Sequence, residues 1–148
     1  MKKTLYIDMD NVLVDFQSGL DRVSQEDKTK YKGDEDEIPD LFSKMDPMPG
    51  AIEAFHILSK HFDTYILSTA PWENPSAWSD KLKWVKDHLG EPAYKRLILT
   101  HHKNLNRGDF LIDDRPNNGA GEFQGTLIKF DPKTSKWSDV VERLLGKA

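Results

Sequence analysis

"YIDMDNVLVDF", residues 6 to 16, begins as a buried strand and then sets Asp8, Asp10 and Asp15 in and just after it. Ionised carboxylates are costly to take out of water unless something pairs with them, so Asp8 and Asp10 together call for a cation, a shared proton or a reaction. In an extended strand, side chains two apart project to the same side, and both carboxylates are expected to meet at the strand end. A surface turn accounts for a lone D-x-D equally well, so the rest of the chain has to decide.

Further β-rich runs recur at "TLYI" (4–7), "TYILS" (64–68), "RLILT" (96–100), "FLI" (110–112) and "TLIKF" (126–130). Most are apolar throughout, as in strands covered on both faces of a parallel sheet. Helical patterns lie between them. "GAIEAFHILSKH" puts Ala51, Phe55 and Leu58 on one stripe, and "SAWSDKLKWVKDHLG" does so with Trp78, Leu82, Val85 and Leu89, stopped by Gly90. A last helix carries Trp137, Val140, Val141, Leu144 and Leu145. Strands alternating with helices predict an α/β fold, a Rossmann-like three-layer sandwich around a central parallel sheet, with ligands at the carboxyl ends of the strands.

Residues 17–47 break the alternation, being rich in charge and too long for an ordinary connection. The expected organisation is one domain, 1–148, with a small cap insertion at 17–47 after the first strand. Its Tyr31, Ile38, Leu41, Phe42 and Met45 would face a ligand; a mobile acidic loop is the competing description. The run "DEDE" (34–37) reads as a solvated face, because adjacent acidic groups repel unless a fixed backbone turns them inward.

Composition narrows the class. The 148 residues hold 21 basic and 25 acidic side chains, a formal net charge of −4, which suits a soluble globular protein and speaks against a nucleic-acid polymer as partner. No apolar run is long enough for a membrane span, and the first strand starts too early for a leader, so a cytoplasmic protein with no membrane partner is expected. With no cysteine there are no disulfides, thiolate metal sites or cysteine nucleophiles.

A second acidic pair raises the weight of the first. "DFLIDDRP" ends another predicted strand with Asp113 and Asp114, and parallel strands bring both pairs to one edge of the sheet. Four converging carboxylates repel without a cation, and hard oxygen donors with no histidine or cysteine set favour Mg²⁺ over zinc. A third strand end, "YILSTAP", supplies Ser68 and Thr69, and "LTHHKNLNRGD" supplies Lys103. A hydroxyl and an ammonium beside such a cluster suit phosphate oxygens, although each alone is usually a cap or turn residue or a solvated side chain.

Together these elements resemble the haloacid dehalogenase superfamily of phosphoryl-transfer enzymes: "DMDNV" for its D-x-D-x-V motif, "ILST" for its strand ending in Ser or Thr, Lys103 for its lysine and "IDDRP" for its acidic pair. Within it the chain is similar to the 5'(3')-deoxyribonucleotidases through "DMDNVLVDF", "DPMPGAIEAF", "STAPW", "KWVKDHLG" and "LIDDRP", in order. The resemblance implies that Asp8 is the nucleophile and that Asp10 protonates the leaving oxygen and then activates water. It implies that Thr69, with Ser68 as the fallback, and Lys103 hold the phosphoryl group. It also implies a Mg²⁺ site made by Asp8, the backbone carbonyl of Asp10 and Asp114, with Asp113 supporting; spacing alone does not rank the two neighbours. The implied activity is a Mg²⁺-dependent phosphatase whose substrate partner is a deoxynucleoside monophosphate.

Two departures bear on this. Asn11 stands where many members of the superfamily have Gly, which its access to left-handed backbone permits. The segment 17–47 is short for a deoxyribonucleotidase cap, leaving Phe16 and Trp72 as candidates to stack on a base or, alternatively, to join the core. Asp15 reads as structural, with orientation of Lys103 as the other possibility. A phosphatase for another small metabolite, and a non-catalytic phospho-ligand sensor, are the competing functions.

Overall fold

In the computed structural model, which describes residues 1–148, five of the apolar runs pair into one parallel sheet of order β5-β4-β1-β6-β7. Strand β1 (Thr4–Ile7) is central, flanked by β4 (Asp63–Ser68) and β6 (Phe110–Asp113), with β5 (Leu97–Leu99) and β7 (Thr126–Lys129) at the edges. Ile7 stands level with Ile66 and Ile112, so the residues that follow β1, β4 and β6 emerge at one edge of the sheet. The expected α/β fold is therefore present, and the register brings the motifs together.

One face of the sheet carries Leu5, Ile7, Ile66, Phe110, Ile112 and Ile128 into the main core. Three helices cover it: α3 (Ala51–His61), α4 (Pro75–His88) and α5 (Trp137–Leu145). Burying one such aliphatic side chain contributes about 1.5–3 kcal/mol. The other face, with Tyr6, Leu67 and Leu111, is covered more thinly by Ala120 and Phe123 from the connection after β6. The third layer is thus mainly turns and short 3-10 segments.

Helix α4 departs from its expected orientation. Ala77, Lys81, Trp84 and Val85 turn inward, whereas Leu82 is 45% exposed and Trp78 only half-buried. Val85 and Leu89 are buried as expected, but toward the helix start Ala77 and Lys81 take the inward places expected of Trp78 and Leu82. Two polar anchors account for the exchange: Trp84 Nε1 donates to the Met45 carbonyl at 3.0 Å, and the Lys81 ammonium finds acceptors inside.

Two short strands, β2 (Val14–Asp15) and β3 (Asp46–Pro47), pair antiparallel and close the segment between them at its base. Within it lie α1 (Phe16–Leu20), α2 (Gln25–Lys30) and 3-10 turns at Glu35–Glu37 and Leu41–Lys44. Asp15 caps α1, its Oδ1 accepting from the Ser18 N–H at 3.4 Å. Gly19 lets α1 approach the far arm of the insertion, since a Cβ there would lie 2.7 Å from Met45 Cγ. Contrary to expectation, Ile38, Leu41, Phe42 and Met45 face away from any ligand: all are buried in the main core, with Tyr31 packed against it. Apolar side chains on a thin insertion are better satisfied by the existing core than by a wet cavity. Asn74, itself buried, donates to the carbonyls of Asp36 at 2.9 Å and Ile38 at 3.0 Å, and Ser76 Oγ accepts from the Asp40 N–H at 3.0 Å.

Candidate active site

Directly after β1 the chain turns tightly: the Met9 carbonyl accepts the N–H groups of Val12, Leu13 and Val14 at 3.1, 2.8 and 2.9 Å. Asn11 takes the left-handed conformation, φ 62°, that its residue type permits. Asp8 and Asp10 thereby line a cavity of about 620 Å³ together with Thr69, Lys103, Asp113 and Asp114. That volume is in the range of small-molecule sites, roughly 300–1,000 Å³.

The carboxylates are not equivalent. Lys103, itself buried, donates from Nζ to Asp8 Oδ1 at 3.0 Å and to Asp113 Oδ2 at 2.6 Å, while the Arg115 N–H donates to Asp113 Oδ1 at 3.1 Å. Both oxygens of Asp113 are thus engaged. Asp114 accepts no hydrogen bond from a protein donor, its nearest cation being Arg115 Nε at 3.9 Å. Yet Asp8, Asp113 and Asp114 can each offer an oxygen, with all three within 4.8 Å of one another.

Such crowding shows in the protonation equilibria. Burial raises the Asp8 carboxyl above the ordinary range in spite of Lys103. Asp114 is pushed up to about 8, first by burial and then by Asp8 and Asp113. Burial pulls the Lys103 ammonium down, but Asp8 and Asp113 outweigh it and the net direction is upward. Four carboxylates face the two buried ammonium groups of Lys103 and Lys81 and the exposed guanidinium of Arg115, 3.9 Å from Asp114, so formal negative charge exceeds positive. A hard divalent cation fits both that charge and that donor set.

Asp10, by contrast, is held by Lys81, a residue outside the expected stripe of α4. Lys81 donates to Asp10 Oδ1 at 3.2 Å and Oδ2 at 3.1 Å, and to Ser68 Oγ at 2.8 Å. Burial raises the Asp10 carboxyl and Lys81 opposes it, the upward shift prevailing. Ser68 lies behind the cavity wall, fully buried, and does not line the cavity. Thr69 does line it, though its hydroxyl donates to the Thr100 carbonyl at 2.7 Å.

Phe16 and Trp72 both reach the cavity wall. Phe16 is half-buried and packs edge-on to Phe42, with ring centroids 5.9 Å apart; Trp72 is 76% exposed and stands within 6.0 Å of His101. Glu35, Asp36 and Glu37, expected on a solvated face, form part of the same wall, because the carbonyls of Asp36 and Ile38 are pinned by Asn74. Arg115 also lines it. Lys81 and Arg115 were the ones that pattern reading passed over, while Glu35 to Glu37 read in the sequence only as a solvated face. For Lys81 the available signal was the set Ala77, Lys81, Trp84 and Val85, equally helical in spacing and sharing Val85 with the expected stripe.

Comparison with known proteins agrees with this architecture. The family described as "5' nucleotidase, deoxy (Pyrimidine), cytosolic type C protein" matches residues 28–145. A protein of Vibrio phage KVP40 bearing the name 5'(3')-deoxyribonucleotidase is 59% identical over 147 residues, 99% of this chain and 86% of its own length. The chain belongs to the 5'(3')-deoxyribonucleotidase family. The human cytosolic 5'(3')-deoxyribonucleotidase is 30% identical over 138 residues, spanning 74% of this chain and 69% of its own. Among solved structures, a HAD-hydrolase of Bacillus subtilis bound to magnesium superposes with TM-score 0.67 at 14% identity, covering 97% of this chain and 99% of that one. A haloacid dehalogenase-like hydrolase of Xanthomonas campestris gives TM-score 0.55 at 9% identity over 99% of both chains. The fold of this deoxyribonucleotidase family member is that of the haloacid dehalogenase-like hydrolases, and the family makes it a hydrolase of nucleotide phosphomonoesters.

Proposed function

We propose that this chain is a Mg²⁺-dependent phosphatase that hydrolyses deoxynucleoside monophosphates through an aspartyl-phosphate formed on Asp8. The observation that carries it is the convergence of Asp8, Asp113 and Asp114 within 4.8 Å on one wall of a cavity that also holds Asp10, Thr69 and Lys103. The substrate class follows the names of the phage and human relatives. Asp8, the Asp10 carbonyl and Asp114 would hold Mg²⁺, with Asp113 engaged in orienting Lys103. Bound there, Mg²⁺ would neutralise the carboxylates and draw charge from the phosphoryl oxygens.

The chain's own groups then have distinct tasks. Lys103 has two N–H groups committed to carboxylates, so its third is free for a phosphoryl oxygen, beside Thr69. An Asp8 oxygen attacks phosphorus, and the departing nucleoside oxygen takes the proton from Asp10. Asp10, now ionised, takes a proton from water as that water attacks the aspartyl-phosphate, releasing phosphate and restoring Asp8. Splitting one very slow hydrolysis into two easier displacements is the gain. The raised Asp10 carboxyl suits a group that must first hold a proton.

Residues 17–47 act in this scheme as a short, fastened cap, with Phe16 and Trp72 as the aromatic surfaces for a base. Action in the cytoplasm accords with the human relative's name; separately, no helix is long and apolar enough to cross a membrane. The acidic wall of Glu35, Asp36 and Glu37 favours a second possibility, another small phosphomonoester with less reliance on aromatic stacking. Phosphate release from a panel of deoxynucleotides, ribonucleotides and sugar phosphates, with Mg²⁺ and with a chelator, tests both. Preference for deoxynucleotides with Mg²⁺ supports the assignment; a sugar phosphate turned over best transfers it to the second, and equal rates in chelator remove the metal.

A further inference from the structure

Lys81 occupies a position that stability alone does not explain. Its side chain is fully buried, and its ammonium reaches both Asp10 oxygens, at 3.2 and 3.1 Å, and Ser68 Oγ at 2.8 Å. It also lies 4.7 Å from the centroid of the Phe42 ring, a cation–π distance. Replacing a buried ion pair with apolar groups is often neutral or stabilising, so a fold needing only to fill this space would do as well with a methionine. Nor does Lys81 touch the substrate space, because Asp10 stands between it and the cavity.

We propose that Lys81 is a positioning residue for Asp10, a two-oxygen clamp that fixes the carboxylate toward the leaving oxygen and is itself fixed by Ser68 and by Phe42 of the cap segment. This rests on the assignment of Asp10 as the acid and base. The clamp is built from three elements: Lys81 on α4, Ser68 at the end of β4, and Phe42 in the 3-10 turn Leu41–Lys44. An ammonium has three N–H donors, and this arrangement uses them on two carboxylate oxygens and one hydroxyl. With the clamp in place, the Asp10 side chain, 26% exposed, has one preferred direction; without it, the same side chain is free to rotate into the cavity. A small misplacement of a proton-transferring group costs rate far more than binding. Phe42 adds a structural link between the cap segment and the acid/base, since its ring packs on Lys81 and on Phe16 at the cavity wall.

The test is a double-mutant cycle on full-length protein with Mg²⁺, comparing Lys81→Met, Asp10→Asn and the pair. Lys81→Met is expected to lower kcat on a deoxynucleotide by roughly 10–100-fold with KM within about threefold, and to cost less on an activated aryl phosphate whose leaving group hardly needs the proton. In the Asp10→Asn background the same change is expected to lower kcat by less than about threefold. A readout independent of turnover accompanies it: Asp10→Asn leaves Lys81 buried without its partner and lowers Tm, and adding Lys81→Met restores it. Equal losses in kcat in both backgrounds, or a rise in KM with kcat unchanged, overturn the clamp. Full activity of Asp10→Asn alone overturns the acid/base assignment instead, so the two failures are distinguishable. If Lys81→Met does not fold, Ser68→Ala decides: a kcat loss that vanishes in the Asp10→Asn background supports the clamp, and a loss that persists refutes it.

Discussion

Replacing Lys103 with methionine removes the one ammonium that bridges Asp8 and Asp113, and the consequences can be worked out from its surroundings. Its bonds to those carboxylates are 3.0 and 2.6 Å long, and the three side chains are 3–8% exposed, so water cannot take its place without rearrangement. Breaking a buried ion pair by deleting one partner costs about 3–5 kcal/mol. The lower end applies, because the Arg115 N–H still bonds Asp113 and a shared proton relieves part of the repulsion. At roughly 2–4 °C per kcal/mol for a chain of this size, Lys103→Met should lower Tm by about 6–12 °C in chelator. Added Mg²⁺ should narrow that gap, since cation and ammonium compensate the same carboxylates. Tenfold tighter Mg²⁺ binding by the variant amounts to about 1.4 kcal/mol, near half of the loss. Differential scanning calorimetry of both proteins, in chelator and in Mg²⁺, measures all four values. An unchanged or wider gap in Mg²⁺ would refute a shared charge cluster.

Other expectations follow from the same geometry. Asp8→Asn should abolish phosphate release while leaving the fold, and phosphate binding at saturating Mg²⁺, largely intact, as followed by colorimetric assay and isothermal titration; undiminished turnover would end the nucleophile assignment. Asp114→Asn should raise the Mg²⁺ concentration for half-maximal activity by at least about tenfold, whereas Asp113→Asn, which strips Lys103 of a 2.6 Å bond, should chiefly lower Tm. Metal titrations with the two effects reversed would exchange their roles. Trp72→Ala should raise KM for a deoxynucleotide about fivefold, the low end of base–aromatic stacking because the ring is 76% exposed, and leave a small aryl phosphate unaffected. Equal changes for both substrates would take Trp72 out of the base pocket.

The parallel sheet and the meeting of Asp8, Asp10, Asp113 and Asp114 were legible in the sequence because both depend on local pattern: apolar runs of strand length, with carboxylates at their carboxyl ends. The inward turn of Lys81 on helix α4 was not, for a physical reason. Hydropathy places a lysine outside and a leucine inside, and only the Asp10 carboxylate, the Ser68 hydroxyl and the Phe42 ring, all distant in sequence, make the interior favourable for Lys81. Leu82 was left 45% exposed by the same exchange. The cap segment misled in the opposite sense. Ile38, Leu41, Phe42 and Met45 were legible as apolar, but whether an apolar side chain on an insertion faces a ligand or a core depends on where the backbone is tied, and Asn74 ties it from afar.

The ladder of β2 and β3 carries an evolutionary implication. Because Val14 lies opposite Pro47 and Asp15 opposite Asp46, the insertion leaves and rejoins the sheet domain at neighbouring points. Seen from the sheet, the length of its outer turns is a free variable: a lineage can lengthen, shorten or exchange them without moving Asp8 or Asp10, at a closure entropy that grows only slowly with length. What it cannot discard is the plug of Ile38, Leu41, Phe42 and Met45, which completes the core beneath. Under the proposed function, exchange of substrate preference between members of such a lineage is therefore expected to proceed by grafting outer loops onto a retained apolar base, a route that leaves the carboxylates at the strand ends in place.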